Sequence, residues 1–457
     1  MAREPEAWAD GDTMTPSGGG RGAARMPIRG FVQRLGGPAG RDVSFSVLGT
    51  GIDLLGQFLL GALLARALGP AGVAAYYVGT TVGMLVLAPL SPGVATLIPR
   101  EVARGRVGLG LILGAVLSLR VIVAIPVSLL LVTLAAFVIA PAYRGPILIG
   151  YGLVTFQHLI VTIQSSAEAI HRFDIKLLTT LLYRSGVVGS AVLCLIAGLT
   201  PIVVLIVQLV VTVAISVAVA VLVAPKVRDL DLRGGIRLWP DVVRRGYPIL
   251  LTSLLFFLGL RLDSLVLSAF APASEVGLYS TATFVVTAAA APALAVVIGA
   301  FPTLVARLAA GRAAALALRM ILVVLGYALL VVPTIAILGP VLLRLVFGDA
   351  FEPAAPLLAI LAGSLTPMML NRFVLYYLIA SDRASAAWLA SGAGLALATG
   401  LNLVLIPRLG ASGAAIDAVV GESTVLLVGC VALVHGRRRG RRPQAPDMQI
   451  AMTEGVS

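Results

Sequence analysis

Long apolar runs, each close to the roughly 20 residues that span a bilayer as a helix, recur from residue 44 to residue 435 between short polar connections. Read between charges and Pro/Gly punctuation, they predict helices over 44–66, 76–99, 117–140, 146–169, 175–198 and 201–224. A second set follows over 247–269, 278–304, 314–338, 354–379, 385–406 and 411–435. The stretch 107–140 is too long for one simple span, so 107–116 reads as an interfacial helix leading into the third. No period-2 alternation is sustained, which excludes a membrane β-barrel. The pattern therefore predicts an all-α polytopic membrane protein with about 12 transmembrane helices.

The segment 225–246, with Lys226, Asp229, Asp231, Trp239 and Pro240, is the most polar interior stretch and divides the twelve helices into two sets of six. The chain then organises as a disordered tail over 1–42, an N-lobe over 43–224, an interlobe loop over 225–246, a C-lobe over 247–436 and a basic tail over 437–457. Residues 1–42 are rich in Gly, Arg and Pro and hold no apolar segment, so no cleavable signal peptide is expected.

Composition fixes the class: 59% of residues are hydrophobic and 12% charged, far from a water-soluble domain. A net charge of +13 would suggest nucleic acid in a soluble protein. Here the basic residues sit in the connections, where they set topology. With the N-terminus cytoplasmic, 26 basic residues fall inside and 4 (Arg66, Arg144, Arg344 and Arg408) outside. Both termini are therefore expected in the cytoplasm, with no nucleic-acid partner. Cys194 and Cys430 lie alone in apolar runs and read as small packing residues, and a lone His158 makes no metal site.

The first connections of the two halves align with one inserted residue, pairing Ala67 with Ala269, Pro70 with Pro272, Val73 with Val276 and Tyr76 with Tyr279. The same outward-then-inward step in each half fits a parallel duplication about an axis along the membrane normal. At these residues the sequence resembles the polysaccharide-exporting flippases, the O-antigen and exopolysaccharide translocases of the superfamily that also holds multidrug extruders and lipid II flippases. Residues 63–104 carry an LG-x6-Y turn and an R-E end, 248–283 an R-x-D pair and an E-V-G-x-Y step, and 347–422 an N-x-x-L-I-P-x-x-G-x-x-G-A-A run. The resemblance implies two six-helix bundles around a central cavity that opens alternately to each side.

It also implies a lipid-linked oligosaccharide as substrate, whose pyrophosphate must cross the hydrocarbon, and arginine offers that group a persistent charge with forked donors. Charged residues at bilayer depth are candidate cavity residues: Arg261, Asp263, Arg184, Arg372 and Asp53. Asp417 and Glu422 are weaker candidates. Arg261 and Asp263 lie about 200° apart on a helix and cannot pair well with each other, so each needs its own partner. A carboxylate such as Asp53 is one candidate for Arg261. Gln57 lies one turn after Asp53, and Gln157, His158, Gln164 and Glu168 fall near one face of the fourth span, where a polar wall for sugar hydroxyls competes with interhelical hydrogen bonds.

No nucleotide-binding loop, catalytic triad or metal cluster is visible, so neither enzyme activity nor a cofactor is expected. Drive must come from ions, potential or the substrate gradient. The leading expectation is a flippase of the cytoplasmic membrane, working as a monomer amid membrane lipids with polymerase or glycosyltransferase partners. The alternatives are a cation-coupled multidrug or solute exporter, which a net acidic cavity would favour, and a membrane glycosyltransferase or polymerase.

Overall fold

A computed structural model describes residues 38–438 except 91–93, 104, 106, 139–142, 224–229 and 382. The tails 1–37 and 439–457, and the start of the polar segment at 224–229, lie outside the described residues. Two units meet between Ser44 and Phe45. Pro38–Ser44 is helical, although the sequence expected the tail to continue to residue 42, and the second unit holds everything discussed below.

Helix α1 covers Pro38–Leu87 and is bent into two arms at Gly69, whose φ of 64° and ψ of 176° break the helical geometry. A proline disfavours the α region for the residue before it, and glycine accepts the positive φ at no steric cost. Pro70 then starts the second arm, which continues as a 3-10 turn over Ala88–Leu90 and as α2, Val94–Ala103.

The third span is α3 (Leu109–Leu119) and α4 (Ile125–Val138), joined by a π-helical turn over Arg120–Ala124. The helix expected at 107–116 to lead into the third span falls in α3, which runs through the π-turn into α4 without a break. The wide turn sits where Pro126 has no N–H to give to the helix, and a π-bulge absorbs the missing register.

Helices α5 (Arg144–Ala169), α6 (Phe173–Ile196) and α7 (Pro201–Val223) complete the first half. The expected interlobe loop is largely helical instead, with α8 over Leu232–Arg237 and α9 over Trp239–Phe270. The Asp231 carboxylate accepts from the Gly234 N–H at 2.8 Å and caps α8. Pro240 lies in the first turn of α9, where its missing N–H costs nothing.

The second half continues with α10 (Ala273–Ala309), α11 (Ala314–Phe347), α12 (Ala355–Ala380), α13 (Ala384–Leu409) and α14 (Ala411–Arg438). Ten described helices are long and apolar enough to cross a membrane. The first of them bends into two at Gly69, and α9 is another helix of 32 residues, so the described residues hold about twelve helices of spanning length and no strands.

The two duplicated steps meet each other. A Cβ on Gly277 of α10 would overlap the Pro70 carbonyl of α1, and a Cβ on Gly61 would come within 2.8 Å of the Phe284 ring. Phe58, Phe284 and Phe347 form a triangle of rings with centroids 6.0–6.4 Å apart, and Phe351 extends it at 6.2 Å. Beside them Arg66 donates from Nε to the Val346 carbonyl at 2.9 Å and from a terminal nitrogen to the Leu345 carbonyl. It thereby satisfies orphan carbonyls at the end of α11. Glu275 accepts from the Ala411 N–H at 2.6 Å, placing a carboxylate at the N-terminus of α14 where the helix dipole favours it. The first arm of α1, α10 and α11 are thus closed together at one end of the bundle.

Candidate functional site

Two groups of polar side chains lie on opposite faces of α9. Arg261 and Asp263 are two residues apart, and the structure sends them apart as their spacing predicts. The Arg261 guanidinium lies over the Tyr77 ring in the second arm of α1, 5.2 Å from its centroid, in cation–π geometry. No ion pair of Arg261 is found among the described residues.

Asp53, the partner the sequence suggested for Arg261, belongs to Arg184 instead. Arg184 Nε donates to Asp53 Oδ1 at 2.8 Å. The Arg184 stem needs Gly56, because a Cβ there would come within 2.9 Å of Arg184 Cδ. The guanidinium also lies 5.3 Å from the Tyr183 centroid. Tyr76 packs edge-on to Tyr77 at 5.7 Å. Two arginines, one aspartate and three tyrosines therefore form a wall of net positive charge across α1, α6 and α9. Gln57, one turn from Asp53, is exposed.

Asp263 points the other way and is buried, accepting from the Tyr279 hydroxyl and, at 2.7 Å, from the Ser264 N–H. It lines a cavity of about 100 Å³ among α9, α10, α12, α13 and α14, together with Asn371, Arg372, Asn402, Asp417 and Glu422. Asn371 donates to Glu422 Oε2 at 2.7 Å, and Arg372 lies 3.7 Å from Glu422 Oε1. The Oδ1 atoms of Asn371, Asn402 and Asp417 find no hydrogen-bond partner among the described residues. Three carboxylates against one guanidinium make this pocket net acidic. A water needs roughly 10–15 Å³ of such space, so the cavity takes several waters or a partly hydrated cation and is too small for an oligosaccharide.

The polar face expected on the fourth span divides among local bonds. Gln164 donates to Thr180 Oγ1 at 3.0 Å, Glu168 pairs with Lys176, and His158 Nδ1 lies 2.9 Å from the Val154 carbonyl. Gln157 is half-buried with no hydrogen-bond partner among the described residues. Cys194 is buried and Cys430 exposed, both as free thiols.

Sequence reasoning missed Arg120 and the tyrosines. Arg120 is 5% exposed, and one of its terminal nitrogens donates to Thr162 Oγ1 at 2.7 Å and to the His158 carbonyl at 3.1 Å. It ties the π-turn to α5. The available signal was an arginine just ahead of a mid-helix proline inside an otherwise apolar run.

The family described as "Polysaccharide biosynthesis protein" matches residues 39–306, more than half of the chain. No curated protein matches by sequence. Among solved structures, the lipid II flippase MurJ in an inward closed conformation is similar with a TM-score of 0.69 at 13% identity, covering 86% of this chain and 87% of that one. An inward-facing multidrug resistance MATE family transporter of the MOP superfamily gives 0.66 at 16% identity, covering 86% and 97%. A MOP superfamily transporter from Pyrococcus furiosus, described as having a binding pocket of reverse polarity, gives 0.59 at 17% identity, covering 89% and 97%. At these identities the likeness shows the fold alone, that of the MATE and MurJ structures.

Proposed function

The chain belongs to the polysaccharide biosynthesis protein family, and from that premise we propose that it is a flippase carrying polyprenyl-pyrophosphate-linked oligosaccharide across the cytoplasmic membrane. Two lobes, residues 43–224 and 247–436, rock about the stretch 225–246 with both termini in the cytoplasm. The observation that carries this reading is Arg261, a half-buried guanidinium held on the Tyr77 ring without an ion pair among the described residues. A charge at such depth is costly unless it meets water or an anion, and a pyrophosphate is an anion that arginine holds with forked hydrogen bonds. The rings of Tyr76, Tyr77 and Tyr183 give sugar faces an amphipathic surface beside it. The contacts of Pro70 with Gly277 and of Arg66 with α11 support closure at one end of the bundle. The arginine asymmetry supports that end as the outer one. The protein acts as a monomer and as a transporter rather than an enzyme, supplied by glycosyltransferases and supplying a polymerase.

One observation favours a second reading, export of cationic solutes: the pocket around Asp263 and Asp417 is net acidic. Its volume favours a small coupling cation over a solute, which reconciles it with the first reading. Purified protein in proteoliposomes tests both. Labelled polyprenyl-pyrophosphate oligosaccharide should cross faster than in empty vesicles, and a monophosphate-linked analogue should cross more slowly. Efflux of a cationic dye with no glycan movement would replace the first reading by the second.

A further inference from the structure

The first arm of α1 sorts its side chains around the helix axis. Gly49 and Gly56 turn toward α6, where they meet Leu177 and Arg184, while Gly61 meets Phe284 of α10. Leu48, Leu55 and Leu59, all exposed, lie on the opposite side. At about 100° per residue, Asp53 and Gln57 fall between the edge packed on α6 and the edge packed on α10. Their open side therefore faces the space between the two halves of the chain, away from the exposed leucines.

The Asp53–Arg184 bridge is lopsided in burial. The Arg184 side chain is 9% exposed and the Asp53 side chain 48%, so the carboxylate is the partner that meets the open space. The bridge is also one-point: Nε alone donates, to a single carboxylate oxygen at 2.8 Å, and the terminal nitrogens of Arg184 have no hydrogen-bond partner among the described residues. A two-pronged grip on an oxyanion, the strongest that a guanidinium makes, is left unmade.

One partner can move and the other cannot. The Arg184 stem runs against Gly56, where a Cβ would come within 2.9 Å of it, and the guanidinium lies 5.3 Å from the Tyr183 centroid. Asp53 has open space beside it. A buried arginine without a counter-charge is costly, so the carboxylate leaves only when another anion takes its place.

We propose that Asp53 is a stand-in for the substrate's anion: its carboxylate holds Arg184 when the site is empty and yields it to the diphosphate when the substrate enters. Arg184 is then a second substrate ligand beside Arg261, and Asp53 sets how tightly the substrate is held, a role that rests on the flippase reading above. With Asp53 in place, the two arginines and one aspartate of the wall leave one positive charge. With Asp53 displaced they leave two, which match the two negative charges of a diphosphate diester. Return of the carboxylate competes with the bound diphosphate, so Asp53 lowers affinity and speeds release.

The test measures binding of farnesyl pyrophosphate to the full chain in detergent by calorimetry, with farnesol as the uncharged control. The unaltered chain should bind the pyrophosphate and not farnesol, and Arg261→Ala and Arg184→Gln should each weaken binding about tenfold or more. Asp53→Asn should tighten it about three- to tenfold, because no carboxylate has to be displaced. On the unaltered chain, the infrared difference spectrum upon adding the probe should show a carboxylate stretch shifting as Asp53 leaves the guanidinium, a change missing from Asp53→Asn. Arg261-dependent binding that Asp53→Asn leaves unchanged or weakens overturns the stand-in role alone and makes Asp53 a fixed partner of Arg184. Unchanged binding by Arg184→Gln overturns it too, as does a spectrum of the unaltered chain without a carboxylate change, which decides the matter even if Asp53→Asn fails to fold. Equal affinity of the unaltered chain for farnesol and its pyrophosphate would overturn the flippase reading and the stand-in role together.

Discussion

Tyr76 and Tyr279 stand at matching steps of the two halves, each shortly after the proline that starts its helix, and they meet opposite company. Tyr76 packs edge-on to Tyr77, over whose ring the Arg261 guanidinium lies, while Tyr279 donates to a buried aspartate. Equivalent frames have been filled with opposite charge. The broad wall offers cations and rings, mostly from the first half, and the small cavity in the second half offers carboxylates. Helix α9 separates them, with Arg261 on one face and Asp263 on the other. On the proposed reading, an anionic substrate and a compensating cation would sit on opposite faces of one span without neutralising each other.

If that division is real, the two regions should fail differently. Arg261→Ala should cut glycan translocation in proteoliposomes roughly ten- to a hundredfold, the worth of one or two charge-assisted hydrogen bonds, with abundance unchanged. Arg261→Lys should recover part of it, because a point charge lacks the fork. Normal translocation by a well-expressed Arg261→Ala protein would break the comparison on its cationic side.

On the acidic side the first loss should be stability. Tyr279→Phe takes a donor from a buried carboxylate and should cost about 1–3 kcal/mol, read as a lower melting temperature in detergent. An unchanged melting temperature would show that the Asp263 carboxyl does not depend on that hydroxyl. The Asp53–Arg184 bridge sharpens the contrast. A double-mutant cycle with Asp53→Ala and Arg184→Ala should give a coupling of about 0.5–3 kcal/mol, and a value near zero would return Arg184 to the pool of free cations on the wall. The smallest effect is expected for Gln164→Leu, about 0.6 kcal/mol for its interhelical bond to Thr180. A large transport defect there would restore the fourth span as a sugar-binding wall.

The passes and their ends were legible in the sequence, since each is set by local features: apolar length, a proline at the first turn, a glycine at the last. The divergence of Arg261 and Asp263 followed from helical geometry alone. Their partners were not legible. Asp53 and Arg184 are 131 residues apart in the chain, and only tertiary packing brings α6 against Gly56. The stretch 225–246 read as a loop because it is polar. Its helices depend on the Asp231 cap and on a glycine contact with α3 that no local window contains. Arg120 escaped notice because one charge in an apolar run reads as a span boundary until a π-turn buries it.

The brevity of the turns at the closed end has a practical meaning. Three of the reversals there, on Gly69 alone, on Ala271–Pro272 and on Gly410 alone, let the helices begin again at once. A protease or antibody arriving at these three reversals finds almost no loop to grip. An epitope tag inserted at residue 70 or 272 must push apart helix ends already in contact. Labels therefore belong in a longer connection, such as residues 197–200 between α6 and α7, where four residues already separate the two helices.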